Sequence, residues 1–268
     1  MNWTKTEIQL LKDNFPKMED RKLSRIIRKS PNALRIKASR LKIIKETSEI
    51  RSDLRINEIE EQIILGGLLG DLYCGYSKTS KYPRLQGAHG KDQKEYVFWK
   101  IKLLNRLRFR QRVTKISAYW YESKTFKALT EYYQLFYSNK YKQVNEQILS
   151  RLNDFGLLIW YLDDGSYSKR DHYITFYTNG FTYNEQVLIS NWFKNRYNLS
   201  PKIGPIRNHN YPNKIWYCLR FNVIDSKKLI DIFKQFEIPS CMEYKLGEFS
   251  KNLHSTNFNE KNELKLII

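Results

Sequence analysis

Two aspartates, Asp71 and Asp164, close two runs of the same make-up. Ile64-Leu65-Gly66-Gly67-Leu68-Leu69-Gly70-Asp71-Leu72 is apolar until its single carboxylate. Leu157-Leu158-Ile159-Trp160-Tyr161-Leu162-Asp163-Asp164-Gly165 closes in the same way, with the acid again in eighth place. Two carboxylates held at the negative ends of two helices repel each other and raise each other's pKa. A cation between them relieves that repulsion. Hard divalent cations take oxygen ligands, and Mg²⁺ is typically held by one or two carboxylates together with substrate phosphates. The chemistry such a pair can do is metal-dependent phosphodiester cleavage, in which the metal activates water and stabilises the leaving oxygen.

The elements around the acids must bring them together. Gly66, Gly67 and Gly70 strip side chains from part of the first run. Each glycine lowers helix propensity by about 1 kcal/mol. The predicted return is close packing against the second run, which places Asp71 beside Asp164. The pattern around the runs repeats. A helix over 60–72 is followed by strands over 73–78 and 84–89, a helix over 92–107, a strand over 111–121 and a helix over 125–137. A basic bridge, 138–143, leads to a second pass: a helix over 155–162, strands over 166–169 and 173–179, a helix over 183–196, a strand over 214–221 and a helix over 226–236. A repeat of this kind decides the fold class. We expect an α+β protein made of tandem pseudo-symmetric halves, 59–143 and 144–268.

Residues 1–44 predict a small three-helix domain ahead of them. Thr4 and Glu7 have capping-box spacing, and Ser30-Pro31 is a helix start. Ile8, Leu11 and Phe15, then Leu23, Ile26 and Ile27, then Leu34, Ala38 and Leu41 supply inward faces at helical spacing. A short third helix with Arg35 and Arg40 outward is the arrangement by which a helix-turn-helix reads a major groove. The unit resembles small Myb- or SANT-like domains. Residues 45–58 read as a charged linker.

Composition agrees with a polyanion partner. The 268 residues carry 47 Lys and Arg against 28 Asp and Glu, a formal charge of +19. That surplus points to nucleic acid. No apolar run approaches the roughly 20 residues of a membrane span, so no membrane partner is expected. The chain is polar from Asn2, without a secretory signal pattern. Cys74, Cys218 and Cys241 are scattered, which excludes a disulfide framework and fits a reducing intracellular compartment, bacterial or phage-infected cytoplasm or an organelle matrix. Four dispersed histidines, among them His89 and His209, exclude an HNH nuclease.

The two acidic runs resemble the paired motifs of single-chain LAGLIDADG homing endonucleases, with Asp71 and Asp164 at the acidic eighth positions. Phe181-Thr182-Tyr183-Asn184-Glu185 and Ile238-Pro239-Ser240-Cys241-Met242-Glu243-Tyr244-Lys245-Leu246 extend the resemblance, which covers about residues 59–250. It implies two αββαββα halves whose saddle-shaped sheets straddle double-stranded DNA. It implies cleavage of both strands across the minor groove, with 3′ overhangs and a divalent metal, Mg²⁺ or Mn²⁺. It implies a metal set of Asp71 and Asp164 with the preceding Gly70 and Asp163. It also implies a basic catalytic residue in each half: Lys245 in the second, and Lys142, or alternatively Lys140, in the first.

This chain departs from the pattern at Trp160 and Tyr161, where small residues are usual, and at Leu72, where a glycine usually follows the acid. Close packing is then expected to rest on the glycines of the first run, with both aromatic rings turned away from the seam. Alternate polar residues on the strands are the expected DNA contacts: Arg84, Gln86, Lys115, Ser117, Lys169, Thr175, Tyr177, Lys214 and Arg220. The expected assembly is a monomer on DNA. Two alternatives share the scaffold: a maturase bound to intron RNA, and a non-catalytic transcription regulator. Retention of both acids favours the nuclease.

Overall fold

The computed structural model describes residues 3–43, 54–77, 80–114, 117–207 and 215–252. Residues 45–53 of the expected linker lie outside the described residues, as do residue 44, Lys115 and Lys214. Three short helices come first: α1 (Lys5–Asn14), α2 (Asp20–Ile27) and α3 (Pro31–Arg40). Thr4 and Glu7 form the capping box on α1, and Ser30 caps α3 ahead of Pro31. Leu11, Phe15, Leu23, Ile27, Leu34 and Ala38 form a small core of their own. The sequence pattern turns Ile26 inward; the structure leaves it 52% exposed. With Leu23 and Ile27 already filling the inner face of so short a helix, no buried position remains for it.

The first motif run is α4 (Glu58–Leu69), opened by an Asn57–Glu60 capping box that starts it before the predicted position. β1 (Tyr73–Gly75) and β2 (Arg84–His89) follow, then α5 (Lys94–Leu103). The single strand expected over 111–121 is a hairpin of β3 (Arg110–Val113) and β4 (Tyr119–Glu122). Its turn requires the left-handed backbone seen at Ser117, φ +58°. α6 (Leu129–Phe136) leads into the basic bridge. That bridge is itself a small hairpin, β5 (Tyr137–Ser138) with β6 (Tyr141–Lys142).

After α7 (Glu146–Arg151), the second motif run is α8 (Asp154–Asp164), capped by Asn153. β7 (Gly165–Tyr167), β8 (Ile174–Phe176), α9 (Tyr183–Tyr197), β9 (Lys202–Arg207), β10 (Ile215–Arg220) and α10 (Val223–Phe233) complete the regular elements, followed by 3₁₀ turns over Ser240–Asn252. Strand β9 has no counterpart in the sequence reading. Its Gly204 and Pro205 break the alternation that marks a strand. The two main sheets have the same form, antiparallel with orders β1-β2-β4-β3 and β7-β8-β10-β9. Each motif helix runs directly into the first strand of its own sheet. Among the described residues no helix is long and apolar enough to cross a membrane.

α4 and α8 pack side by side through one continuous core. A Cβ on Gly66 would collide with the Gly156 carbonyl and lie 2.9 Å from Ile159 Cβ. A Cβ on Gly70 would lie 2.5 Å from Asp163 Cβ. The second helix also contributes a glycine, Gly156, whose Cα sits against Gln62. The close approach, expected to rest mainly on the glycines of the first run, thus also uses one from the second. Gly67 is not part of the seam. It leaves room for Leu72, whose N–H donates to the Gly67 carbonyl at 2.7 Å and whose side chain folds back over it. The chain thereby closes the helix without a glycine after the acid. Trp160 and Tyr161 point into the second half. Trp160 packs on Phe176 and Phe193, and Tyr161 stacks on Phe233.

Overpacking a tight seam typically costs 1–3 kcal/mol. Gly66→Ala should therefore destabilise by at least about 2 kcal/mol in urea unfolding. Gly180→Ala, with no atom within 4 Å of its added Cβ, should stay within about 0.5 kcal/mol of the parent. Equal losses at both positions would contradict the close-approach account.

Candidate active site at the helix seam

The N-terminal ends of the motif helices are tied first. The Gln62 amide donates to the Arg151 carbonyl at 2.9 Å and accepts the Asn153 N–H at 2.8 Å. Arg151 pairs with Glu61 at 2.6 Å. With that end and the glycine contacts fixed, the two C-terminal ends emerge together, carrying Asp71 and Asp164.

Both acids hold their protons more tightly than ordinary aspartates. Burial is the first cause for Asp71, followed by the charge of Asp163, and the pKa rises to about 6. Burial again leads for Asp164, followed by the charges of Asp71 and Asp163, and the pKa rises to about 7. Lys142 and Lys245 pull both values back. The two acids thus share one electrostatic field, while 39% of the Asp71 side chain remains open to solvent.

Lys142 and Lys245 take equivalent positions. The Lys142 ammonium, on the β5–β6 hairpin, donates to the carbonyls of Gly70 at 2.9 Å and Leu72 at 3.2 Å. The Lys245 ammonium donates to the carbonyls of Leu162 at 2.6 Å and Asp163 at 3.1 Å. Each lysine therefore caps the negative end of one motif helix. Burial lowers the pKa of both, and the acids oppose the shift. Tyr161 holds the Lys245 backbone, its hydroxyl donating to the Lys245 carbonyl at 2.6 Å. Lys140 lies elsewhere, lining a shallow cavity with Tyr73, Tyr76, Tyr133 and Tyr137.

Asp163 differs from the expectation that grouped it with the metal ligands. Its carboxylate is fully buried, bridged by the Lys100 ammonium at 2.9 Å to both oxygens and by the Tyr96 hydroxyl at 2.8 Å. Burial alone would raise its pKa; Lys100 above all reverses the shift and holds it below the usual carboxylate range. Asp71, His89 and Asp163 do place one ligand atom each within 4.8 Å of one another. The Lys100 ammonium already neutralises Asp163, however, so this trio is a poor cation cage. His89 is kept neutral, its pKa lowered to about 4 by burial first and then by Lys100. Neither Lys100 nor His89 stands out in the sequence. A lysine at helical spacing between Tyr96 and Leu103, on an otherwise apolar stripe, was the available signal.

The strand register sorts the expected nucleic-acid contacts. On the first sheet Arg84 and Gln86 share a face with Trp120, Glu122, Arg110 and Arg112. Glu122, almost fully buried, binds Arg84 at 2.9 Å, Gln86 at 3.0 Å and also Arg110. Arg112 lies over the Trp120 ring at 4.4 Å. Arg110 and Arg112 escaped the sequence reading because it started this strand at 111 and chose the odd-numbered face, with Lys115 and Ser117. On the second sheet Arg220 is exposed over Tyr173; Lys169, expected on a strand, lies in the β7–β8 turn, and Tyr177 just follows β8, both exposed. Thr175 is only 5% exposed, enclosed within β8, and offers no open contact surface. Ser117 occupies the β3–β4 turn. In the N-terminal unit Arg40 is exposed on α3, and Arg35 pairs with Asp20.

Comparison with known proteins agrees with this geometry. The model of the family described as the LAGLIDADG DNA endonuclease family matches residues 61–229. A probable intron-encoded DNA endonuclease 3 of Mycosarcoma maydis is 28% identical over 137 residues, 49% of this chain and 95% of that protein. Protein RecA of Mycolicibacterium flavescens is 29% identical over 118 residues, 43% of this chain but only 28% of its own length. Among solved structures, the homing endonuclease I-WcaI bound to its DNA recognition sequence shares the fold, with a TM-score of 0.61 at 20% identity, covering 72% of this chain and 88% of that one.

The raised acids make metal-free stability depend on pH. The folded state holds these protons above the unfolded value near 4, so the contribution to stability is greatest at low pH. It is lost as pH rises through about 6 and 7. Asp164→Asn should therefore stabilise the metal-free protein by about 2 kcal/mol at pH 8 and hardly at all at pH 4. Urea unfolding with a chelator at the two pH values measures this. A pH-independent effect would remove the electrostatic coupling.

Proposed function

Since the chain belongs to the LAGLIDADG DNA endonuclease family, we propose that it is a site-specific homing endonuclease that makes a divalent-metal-dependent double-strand break in a long DNA target and leaves 3′ overhangs. The observation that carries this reading is the acid pair: Asp71 and Asp164 stand at the ends of two helices that are themselves packed in contact, and the charge of Asp71 adds to burial in raising the pKa of Asp164. Two carboxylates in one field, with a basic protein around them, fit a hard divalent cation. Asp71 and Asp164 would hold it. A bound Mg²⁺ or Mn²⁺ supplies Lewis acidity and an activated water.

The chain's own groups account for the rest of the reading. Lys142 and Lys245 neutralise the helix ends and keep positive charge beside each acid, where a scissile phosphate brings further negative charge. Gly70 and Asp163 contribute carbonyl oxygens at the same point, already turned toward those ammonium groups. The buried Glu122 carboxylate fixes the guanidinium planes of Arg84 and Arg110, which favours reading of base edges over loose phosphate contact. Two motif helices in one chain support a monomer with one acid from each half, divided near residues 59–143 and 144–268. The N-terminal helices, with Lys37 and an exposed Arg40 in the last turn of α3, support a Myb- or SANT-like unit that extends the DNA contact from within the cell's own compartment.

Asp71→Asn and Asp164→Asn should each lower cleavage by about a thousandfold, since the lost metal ligand contributes several kcal/mol. DNA affinity should stay within about threefold of the parent, because base and phosphate contacts lie on the sheets. The measurement is sequencing of cut ends from a randomised duplex library, alongside binding of the recovered site. Full activity in either variant would end the assignment. A chain lacking residues 1–53 should still cut the recovered site but bind it with a smaller salt slope, lower by about one for each phosphate contact removed.

A further inference from the structure

Lys100 belongs to no motif. It lies on α5, in the first half, and its ammonium is wholly buried against Asp163 at the end of α8. Tyr96, one turn earlier on the same helix, donates to the same carboxylate. A buried ion pair is a poor device for cohesion alone, because apolar side chains of similar volume hold a seam as well or better. The position of Asp163 explains what an apolar residue could not do. Its backbone leads directly into Asp164. Its side chain crosses the seam, presses on Gly70 and takes the Asp71 N–H on Oδ2 at 3.4 Å. Asp163 is thus joined to both acids, to one through the chain and to the other through a hydrogen bond. Lys100 and Tyr96 decide where that carboxylate lies, and Lys100 cancels what would otherwise be a third negative charge beside the pair.

We propose that Lys100 and Tyr96 are positioning residues, which act through Asp163 to set the spacing of Asp71 and Asp164 and hence the affinity of the acid pair for a divalent cation. The proposal rests on the reading of Asp71 and Asp164 as the metal-holding pair. It extends the site to a helix outside both motif runs. Partners of this kind, one step removed from the ligands, typically change metal affinity by about 10–100-fold.

The test is Mn²⁺ binding to the full chain without DNA, read from the paramagnetic resonance of free Mn²⁺. Lys100→Met combined with Asp163→Asn removes both charges together, so no buried charge is left unpaired. We expect this variant to bind Mn²⁺ at least about tenfold more weakly, while its metal-free melting temperature stays close to the parent's. Asp71→Asn serves as the control on the underlying reading. Parental Mn²⁺ binding in Asp71→Asn would overturn the assignment of the acid pair. Parental binding in the folded double variant, with binding lost in Asp71→Asn, would overturn the positioning role alone. If the double variant does not fold, Tyr96→Phe decides: it keeps the buried ring and removes one hydrogen bond to Asp163. Weakening of about threefold supports the proposal, and unchanged binding overturns it.

Discussion

The close approach of α4 and α8 is the constraint on which the rest of the molecule depends. It exists because Gly66 and Gly156 face each other and because Gly70 leaves room for Asp163. Glycine is unfavourable inside a helix, and the seam offsets that loss with dispersion contacts across a distance that a single methyl group would open. Everything downstream inherits its geometry from this contact. Each helix continues into the first strand of its sheet, so the two four-stranded sheets are oriented by the seam.

The same contact forces like charges together, and the surrounding residues show how the fold accommodates them. Asp71, Asp163 and Asp164 fall within one small volume. Lys100 neutralises Asp163 inside the core, and Lys142 and Lys245 sit on the carbonyls beside the other two acids. What remains is a pair of carboxylates with raised pKa values, each beside a lysine ammonium. A protein stabilised only for itself would not keep that arrangement. It suits a family whose chemistry takes place on a phosphodiester backbone.

Much of this was legible in the chain. The eight-residue phase of the two acidic runs, the capping signals at Thr4 and Ser30, and the strand over Arg84–His89 all follow from local rules that the structure obeys. The hairpin of β3 and β4 read as one strand because both arms are polar and aromatic, without the turn dipeptide that would have separated them. Strand β9 was hidden by Gly204 and Pro205. Ile26 had the spacing of a core residue but no core to enter. The last error has a general cause: periodicity reports a residue's phase and not the size of the partner that must cover it.

The amino-acid sequence by itself determined the two motif helices, the acids that end them and the excess of positive charge, because each depends on residue type and near-neighbour spacing. The tertiary structure alone decided which glycines form the seam, with Gly67 assigned to Leu72 and Gly156 to the partner helix. It alone decided that Asp163 is bound to Lys100, 63 residues away in the chain, and that Arg84 and Arg110 converge on Glu122. Those pairings join residues that no local rule connects. A buried charge takes its partner from whatever the fold brings within hydrogen-bond reach, and only packing in three dimensions settles which group that is.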